Sequence, residues 1–418
     1  MHLKGNCIIG QSGGPTAVIN ASLYGIINEA TKSSSIHKIY GARNGILGVL
    51  KEDFIDMTQM DSNTVEKIRL TPASALGTCR FRLQDPSVNK HQYDRILEVF
   101  SANNIRYFFY IGGNDSMDTV QKIDQYAKEV GYPLSIIGVP KTVDNDLNGT
   151  DHCPGFGSAA KYIITSIIEA MYDCKSYDDD TILIVEVMGR DAGWLAAASA
   201  LIKDYEDFGP DFIYLPETIF CYEKFINNVK NLCTKKKNIL IVAAEGIKDN
   251  LGRYISSENA SNFDGFKHKA LGGVSQVLKG ILQDKITKRI KTINLGLLQR
   301  CSMHMASLVD FNEAQLVGEA AVKYALKGET GKMVGIKRLN NSPYSVEPCI
   351  SSLERVANHI KKVPVHWVCE KKNNIKDDCL EYFRPLVQGY VPYPNVYGIP
   401  QYMDFNSKSH KYTKKEVV

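Results

Sequence analysis

Short runs of apolar and β-branched residues recur along the 418-residue chain and alternate with segments in which apolar residues fall at helical spacing. The runs cover residues 7–10, 39–42, 107–111, 135–139, 182–188, 212–215, 239–243 and 293–297. Regular alternation of strand and helix patterns is typical of parallel sheets with helices packed on both faces. The sequence therefore predicts an α/β fold in which each helix begins where a strand ends.

The length of the chain, 46.6 kDa in all, exceeds what one hydrophobic core usually supports, so we expect two domains. A boundary is predicted between Asp146 and Ser158, where turn-forming residues are concentrated. Ser158 is expected to cap the next helix, whose inward residues would be Ile163, Ile167, Ala170 and Cys174. The second domain would thus begin with a helix.

Composition excludes several classes of protein. Charged residues at 23% and apolar residues at 44% are ordinary for a globular protein, and a formal net charge of +4 is too small to predict a nucleic-acid partner. The chain has neither a signal-peptide pattern nor a run of about 18 apolar residues, so we expect a cytoplasmic protein without a membrane span. The ten cysteines include no C-x-x-C pair, which argues against a zinc or redox site.

Two polar loops follow neighbouring apolar runs and carry the groups that phosphoryl transfer needs. The first contains Gly112, Gly113, Asn114, Asp115 and Ser116; the second extends over residues 140–146, Pro-Lys-Thr-Val-Asp-Asn-Asp. Phosphoryl transfer requires backbone amides near the phosphates, a cation for the charge in motion and a carboxylate for the acceptor's proton. The two loops together supply all three, which predicts one reaction centre.

A third loop, residues 10–16, also joins a strand to a helix, and its backbone amides could receive an anion. It lacks the Gly-Lys-Ser/Thr of a Walker loop and the G-x-G-x-x-G of dinucleotide folds. A P-loop ATPase and a nicotinamide dehydrogenase are therefore disfavoured. Glycines at such a turn are equally compatible with a purely steric role.

Charged residues follow further strand ends. Arg80, Arg190 and Arg300 offer planar guanidinium groups that suit phosphate oxygens, although a single arginine is more often a surface ion-pair partner worth about 0–1 kcal/mol. Glu245 stands where an apolar run stops and could accept hydrogen bonds from hydroxyls, with a salt bridge or a helix N-cap as the alternative role. Several such groups beside glycine loops indicate a phosphorylated ligand.

Six motifs, taken in their order along the chain, resemble those of the phosphofructokinase family. They are Gln-Ser-Gly-Gly, Gly-Gly-Asn-Asp-Ser, Pro-Lys-Thr-Val-Asp-Asn-Asp, Met-Gly-Arg, Ala-Glu-Gly and Leu-Gly-x-x-Gln-Arg. The resemblance covers roughly residues 5 to 335, and Thr-x-Asp-Asn-Asp followed by Met-Gly-Arg is its most specific part. It implies two Rossmann-like three-layer α/β domains with mostly parallel sheets and an active site in the cleft between them.

The resemblance also assigns parts of the chain to each domain. Residues 1–148 plus about 310–335 would bind the phosphoryl donor, residues 149–309 plus 336–404 would bind the sugar phosphate, and residues 405–418 would form a flexible basic tail. Self-association to a homodimer or homotetramer is expected from the same resemblance.

The acceptor in that family is fructose 6-phosphate, and the matching residues acquire roles from it. Asp144 is implied to be the base for the 1-hydroxyl, and a nearby lysine would keep its carboxylate ionised. The implied sugar-phosphate ligands are Thr142, Asp144, Met188, Gly189, Arg190, Glu245 and Arg300, the last for the 6-phosphate. Sedoheptulose 7-phosphate is an alternative acceptor, because extra hydroxyls need only local room.

The donor site is assigned in the same way. Its implied phosphate ligands are Gly13, Gly14, Arg80, Gly112, Gly113 and Ser116. Mg²⁺ is the implied cofactor, and Asn114 occupies the metal-ligand position, where the family usually has aspartate. A neutral amide is a poorer ligand for Mg²⁺ than a carboxylate, so Asp115 could share that role.

Asp115 and Lys141 decide which donor we predict. ATP-using bacterial members of the family resemble Gly-Gly-Asp-Gly-Ser and Pro-Gly-Thr here, and those glycines leave room for the α-phosphate of the nucleotide. Asp115 would oppose an α-phosphate by bulk and like charge, at a cost of several kcal/mol, whereas pyrophosphate ends before reaching it. Lys141 can neutralise the phosphoryl group in transfer. Asp115 as a helix cap paired with Lys141 remains compatible with this role.

The sequence thus predicts a reversible transfer of phosphoryl from pyrophosphate to fructose 6-phosphate, giving fructose 1,6-bisphosphate and phosphate in glycolysis or gluconeogenesis. One alternative is an ATP-dependent phosphofructokinase in which the loop moves Asp115 aside. The other is a catalytically silent sugar-phosphate-binding regulatory subunit, which the presence of Asp144 opposes.

Overall fold

The computed structural model describes residues 3–256 and 271–405. Most of its strands belong to two sheets, as the alternating pattern predicts. The strands are β1 Gly5–Gln11, β2 Ile36–Ala42, β3 Phe54–Asp56, β4 Ile105–Gly112, β5 Ser135–Pro140, β6 Thr181–Val187, β7 Phe212–Tyr214, β8 Asn238–Ala244, β9 Arg289–Asn294, β10 Lys332–Asn341, β11 Tyr344–Ser352, β12 Val368–Cys369, β13 Asn374–Ile375, β14 Asn395–Val396 and β15 Ile399–Pro400.

Helices follow most of these strands. They are α1 Ile19–Ala30, α2 Ile46–Lys51, α3 Ser62–Arg69, α4 Lys90–Ala102, α5 Asn114–Glu129, α6 Phe156–Lys175, α7 Trp194–Ala198, α8 Tyr222–Cys233, α9 Val274–Gln283, α10 Leu298–Cys301, α11 Leu308–Leu326, α12 Leu353–Val356 and α13 Leu380–Phe383, with 3₁₀ turns at Ser199–Asp204, Met303–Met305, Val365–Trp367, Asp377–Cys379 and Arg384–Val387. No helix in residues 3–256 and 271–405 is both long and apolar enough to span a bilayer.

The first sheet has the strand order β11-β10-β5-β4-β1-β2-β3. Its strands β2, β1, β4, β5 and β10 pair in parallel, so β1, β4 and β5 end at the same edge. Alternate residues of β1 enter separate buried clusters: Cys7 and Ile9 pack with α1 and α11, whereas Ile8 packs with α4 and α5. The sheet is therefore covered by helices on both faces, which confirms the predicted α/β class.

Helices α1 and α11 cross at very short distance on one face of this sheet. A Cβ atom at Gly25 would lie 2.2 Å from the carbonyl oxygen of Gln315, and one at Gly318 would lie 2.2 Å from that of Ser22. Only glycine permits this approach of the two backbones. The close packing fixes α11 beneath the loop that follows β1.

The second sheet is wholly parallel, with the order β7-β8-β6-β9. Strands β6 and β8 are almost entirely buried, and residues of α6, α7, α8 and α9 share one apolar cluster with them. The carboxyl ends of β6 and β8 carry the Met-Gly-Arg and Ala-Glu-Gly motifs. Both sheets thus present their motif loops at strand ends, where open α/β sheets bind ligands.

Some predicted boundaries are wrong. The run at 293–297 lies mostly outside its strand, because β9 ends at Asn294 and Gly296 turns the chain with φ 51°. Helix α6 begins at Phe156 rather than after Ser158: its N-cap is Gly155, and Asp310 of α11 accepts hydrogen bonds from Gly155 N, Ser158 N and Ser158 Oγ. A carboxylate distant in sequence caps this helix, which local patterns do not predict.

The hairpin β10–β11 has no counterpart among the runs that predict strands. Strand β10 pairs with β5, so the hairpin belongs to the first sheet. Residues 336 and beyond were predicted to belong to the sugar-phosphate domain, but those of the hairpin lie in the first sheet. The domain ranges themselves stay a prediction. Phe405, placed in the predicted tail, is buried against the first sheet's core, and residues 406–418 lie outside the described residues.

A buried ionic cluster joins the loop after β5 to α11. Nδ1 of His152 lies 2.8 Å from Asp151 Oδ1, and its Nε2 lies 2.6 Å from Glu313 Oε2. Glu313 also accepts a hydrogen bond from Tyr344. Burial alone would lower the pKa of His152, but Glu313 and Asp151 outweigh it and raise that pKa to about 9. The imidazolium therefore links two carboxylates below the second polar loop.

Replacing His152 with leucine is expected to lower the free energy of unfolding by about 3–5 kcal/mol, because it leaves the buried carboxylate of Glu313 without its cation, whereas Asp151 keeps its ion pair with Arg338. The folded pKa is raised, so the contribution of His152 is complete below its unfolded pKa of about 6.5 and is lost as pH rises through about 9. Urea denaturation of the wild type and of His152→Leu across this pH range measures the difference in their free energies of unfolding. His37→Leu, at an exposed histidine, is the control; equal effects of the two substitutions would refute the account.

Candidate active site

The three motif loops of the first sheet face those of the second across a cavity of about 450 Å³. Most of the predicted site residues line it: Gly13, Gly14, Arg80, Gly113, Asn114, Asp115, Ser116, Lys141, Thr142, Asp144, Met188, Arg190, Glu245 and Arg300. Arg82, Val143, Asp146, Asp191, Ala192, Asn358 and Ile360 line it as well. Residues separated by almost 350 positions thus meet in one cavity.

Two predicted ligands, Gly112 and Gly189, do not line the cavity. A Cβ atom at Gly112 would lie 2.1 Å from Ser116 Oγ, so glycine here lets the first turn of α5 pack on the end of β4. Gly189 has φ 139° and a Cβ there would lie 2.7 Å from the carbonyl oxygen of Ala192. Both glycines shape the loops that present neighbouring residues, and their predicted ligand roles stay a prediction.

Lys141 is buried between the first and third loops. Its Nζ donates a hydrogen bond to the carbonyl of Gly14 at 2.7 Å. Burial lowers the pKa of Lys141 to about 8, with Arg300 acting in the same direction and Asp144 and Asp146 opposing it. Because burial disfavours the ammonium form of this lysine, an anion bound beside it would be stabilised by restoring and pairing that charge.

The second loop directs two carboxylates into the cavity and one amide away from it. Asn145 adopts a left-handed conformation with φ 53°, donates from Nδ2 to Tyr382 and accepts from Cys153 N at 2.9 Å. Thr142 Oγ1 accepts a hydrogen bond from the backbone N–H of Asp144. The anchored amide of Asn145 therefore fixes the positions of Asp144 and Asp146 on either side.

The two carboxylates hold their protons more tightly than exposed aspartates do. Burial raises the pKa of Asp144 to about 7, and the neighbouring charges of Asp146 and Glu245 add to the rise, while Arg190 and Lys141 oppose it. Burial also raises the pKa of Asp146. The two groups titrate as a pair, and a carboxyl with a pKa near neutrality is suited to general base catalysis.

Cations and one carboxylate from the second sheet complete the opposite wall. Burial lowers the pKa of Arg300 and the charge of Arg80 reinforces it, which indicates that positive charge is concentrated here. Arg190 Nε is buried with no hydrogen-bond partner among the described residues. Burial raises the pKa of Glu245, although Arg190 and Arg300 oppose the rise. This wall suits an anion that also carries hydroxyl groups.

Asn114 opens helix α5, and both polar atoms of its side-chain amide are engaged. Its Oδ1 accepts a hydrogen bond from the backbone N–H of Asn358 at 2.6 Å, and its Nδ2 donates to the carbonyl of His359 at 2.7 Å. Nothing in the sequence indicated that residues 358–360 would reach the cavity. The prediction that Asn114 ligates a metal stays a prediction.

Residues 3–256 and 271–405 contain no cluster of three histidine, cysteine, aspartate or glutamate side chains arranged to hold a metal ion. The cavity does hold the carboxylates of Asp115, Asp144 and Asp146. Mg²⁺ is commonly bound through one or two carboxylates together with substrate phosphates. The residues present therefore fit a Mg²⁺ ion that arrives with a phosphorylated substrate.

Known proteins resemble this chain along most of its length. The family model described as Phosphofructokinase matches residues 6–325. The chain is 41% identical over 407 residues to the pyrophosphate–fructose 6-phosphate 1-phosphotransferase of Xanthomonas campestris pv. campestris, with 97% of each covered. It is also 41% identical to the protein of the same name from Halomonas elongata, with 95% of each covered. Among solved structures, a pyrophosphate-dependent phosphofructokinase from Nitrosospira multiformis superposes with a TM-score of 0.87 at 39% identity, covering 96% of both chains.

Proposed function

The chain belongs to the phosphofructokinase family, and we propose that it transfers a phosphoryl group from pyrophosphate to the 1-hydroxyl of fructose 6-phosphate, giving fructose 1,6-bisphosphate and orthophosphate. The relatives that are 41% identical are named for this reaction, which supports the proposal. The observation that carries it is one cavity in which Asp115, Lys141 and Asp144 meet. A phosphoanhydride and a sugar phosphate ester differ little enough in free energy for the reaction to run both ways, in glycolysis or gluconeogenesis.

The first sheet supplies the donor site. Gly13, Gly14, Gly113 and Ser116 lie at strand-to-helix turns, where backbone amides and helix N-termini bind phosphate. Arg80 adds a charged group to this side. Asp115 in the first turn of α5 limits the donor by bulk and negative charge, so that a diphosphate fits and an α-phosphate is repelled.

The second sheet supplies the acceptor site. Arg300 is the cation for the 6-phosphate and Arg190 contacts the sugar. Arg190 Nε is buried with no hydrogen-bond partner among the described residues, which supports a ligand contact there. Glu245, Met188 and Thr142 border the space for the sugar. This arrangement directs the 1-hydroxyl toward Asp144.

Asp144 takes the proton of the 1-hydroxyl as the oxygen of that hydroxyl attacks one phosphorus of pyrophosphate. The bond from that phosphorus to the bridging oxygen breaks, and the electron pair leaves with orthophosphate. Lys141 lies between donor loop and base and neutralises the charge that develops on the moving phosphoryl group. In the reverse direction Asp144 returns the proton to the sugar oxygen.

Mg²⁺ is the cofactor we propose, and the carboxylates of Asp115 and Asp146 would hold it. When bound it would supply positive charge that stabilises the phosphates during transfer. The cytoplasm and a homodimer or homotetramer are the proposed location and assembly; light scattering of the purified protein measures the latter.

The pH dependence of kcat/KM is expected to be a narrow bell. The rate rises as Asp144 loses its proton with a pKa of about 7, and falls as Lys141 loses its own with a pKa of about 8. Steady-state assays from about pH 5.5 to about pH 9.5 measure it. Lys141→Arg is the matched variant, because arginine stays protonated and the pKa values of pyrophosphate are unchanged. An unmoved alkaline limb in that variant would show that Lys141 is not the titrating acid.

Assaying the purified protein with Mg²⁺ and fructose 6-phosphate, with pyrophosphate and ATP offered in parallel, tests the proposed function. We expect fructose 1,6-bisphosphate with pyrophosphate and less than about a hundredth of that kcat/KM with ATP. Use of ATP alone would establish the rival, an ATP-dependent phosphofructokinase. No turnover with either donor, but binding of the sugar phosphate, would establish the silent regulatory subunit. Sedoheptulose 7-phosphate as a second acceptor tests the breadth of the sugar site.

A further inference from the structure

The segment 357–361 crosses the first turn of α5 and forms part of the cavity wall. The side-chain amide of Asn114 binds its backbone at two points, Asn358 N and His359 O. Asn358 in turn donates from Nδ2 to Asp118 Oδ1, one turn further along α5, at 3.0 Å. Asn358 and Ile360 line the same cavity as Asp115.

The other end of the segment 357–361 is fixed to the loop that carries the base. Ile360 forms an antiparallel bridge with Leu147, and the backbone N–H of Lys361 donates to the carbonyl of Asp146 at 2.8 Å. The ammonium group of Lys361 donates a hydrogen bond to the backbone carbonyl of Asp151. The backbone carbonyl of Lys361 accepts a hydrogen bond from Trp194 Nε1. The segment is therefore held on α5, on the second loop and on the second sheet's helices.

Because the proposed donor phosphates lie at the first turn of α5, the position of this segment limits what can extend from them. A diphosphate ends at Asp115, and an inorganic triphosphate would reach the carboxylate of that residue. A nucleoside attached to a third phosphate must continue past Asp115, across the turn that Asn358 covers through its bond to Asp118. Charge at Asp115 and the backbone at Asn358 are thus two successive barriers.

We propose that Asn114 is a positioning residue that clamps the segment 357–361 as a second wall of the donor site, and that this wall excludes nucleosides independently of Asp115. The inference rests on the proposed function and deepens it by naming what sets the length of the donor site. An asparagine side chain is required for this clamp, because one atom must accept from Asn358 N while the other donates to His359 O. Aspartate can do only the first.

The requirement for an amide separates the clamp from a metal-ligand role at Asn114. As a metal ligand, a carboxylate would be better than an amide, so Asn114→Asp would lower the Mg²⁺ concentration for half-maximal rate and raise kcat. As a clamp, a carboxylate repels the carbonyl of His359 and loosens the segment 357–361, so Asn114→Asp is expected to bring no gain in Mg²⁺ affinity and no rise in kcat. The two roles therefore predict different results in one measurement, the Mg²⁺ concentration for half-maximal rate.

The wall itself is tested in an Asp115→Gly background, in which the first barrier is absent. Adding Asn114→Ala loosens the segment, and adding Asn358→Gly shortens the wall while suiting its left-handed φ of 62°. Each is expected to raise kcat/KM for ATP about tenfold over Asp115→Gly alone and to leave that for inorganic tripolyphosphate within about twofold. Asn373→Gly, at another left-handed asparagine outside the cavity, is the control for the substitution itself.

A rise in the ratio of ATP to tripolyphosphate use supports the wall, because general loosening of the protein would change both donors together. The proposed wall is overturned if kcat/KM for ATP and for tripolyphosphate change in parallel, or if neither changes. Tighter Mg²⁺ binding by Asn114→Asp overturns it as well. Thermal melting identifies any variant that fails to fold, and Asn358→Gly then decides alone. Failure of the wild type to use pyrophosphate refutes the proposed function, whereas a wild type that uses it and variants that keep their donor range refute only this inference.

Discussion

Replacing Asp144 with asparagine is expected to lower kcat about 10³-fold in both directions of the reaction while changing the Kd of fructose 6-phosphate by less than about threefold. The amide keeps the shape of the carboxylate but cannot accept the proton of the 1-hydroxyl at the reacting oxygen. Burial raises the pKa of Asp144 to about 7, which is in the range that a general base needs near neutral pH. Stopped assays for fructose 1,6-bisphosphate and equilibrium sugar-phosphate binding measure the two quantities.

Asp173→Asn is the matched control, because Asp173 is an aspartate that pairs with Lys291 away from the cavity. It is expected to retain full kcat. An Asp144→Asn enzyme that kept more than about a tenth of wild-type kcat would place the base elsewhere in the cavity, with Asp146 as the next carboxylate to replace.

Replacing Asp115 with glycine is expected to change the preferred donor. Removal of its charge and bulk from the first turn of α5 opens the place where an α-phosphate would lie. Like-charge contact in a confined site costs several kcal/mol, so the ratio of ATP to pyrophosphate kcat/KM should rise about 10²–10³-fold. Part of that change is loss of pyrophosphate use, because Asp115 is also a proposed Mg²⁺ ligand. Steady-state kinetics with both donors measure it.

Asp115→Asn separates the two contributions of the side chain, since it removes the charge and keeps the bulk. It should gain less ATP use than Asp115→Gly if both contribute. An unchanged donor ratio in both variants would show that Asp115 does not select the donor. ATP use by Asp115→Gly should still lie below that of its combinations with Asn114→Ala or Asn358→Gly.

The class of the fold and most of the site followed from local sequence because both depend on short-range patterns. Buried parallel strands read as continuous apolar runs, and the loops after β4 and β5 meet because their strands are paired neighbours. For that reason the order of runs and loops along the chain is enough to place Asp115 near Lys141 and Asp144. Arg190 and Glu245 follow β6 and β8, which are likewise adjacent in one sheet.

The features that sequence did not predict depend on contacts across long stretches of chain. Asp310 caps α6 from about 150 residues away, and the segment 357–361 reaches Asn114 from more than 240 away. Neither carries a motif, because a backbone amide or carbonyl as a partner places no demand on the residue type of the segment. Gly112 and Gly189 also meet a steric need that the motifs alone did not reveal, because a Cβ atom at either position would collide with a neighbouring atom.

The central claim is that one cavity moves phosphoryl from pyrophosphate to the 1-hydroxyl of fructose 6-phosphate. Phosphorus NMR of the wild-type protein with Mg²⁺, pyrophosphate and fructose 6-phosphate tests it most directly, because all phosphorus species are seen at once. The account predicts that pyrophosphate declines while orthophosphate and the new phosphate ester at C1 grow in equal amounts, and that Asp144→Asn abolishes both. Growth of orthophosphate at two equivalents per pyrophosphate without the C1 ester, or a C1 ester formed only when ATP is supplied, would contradict it.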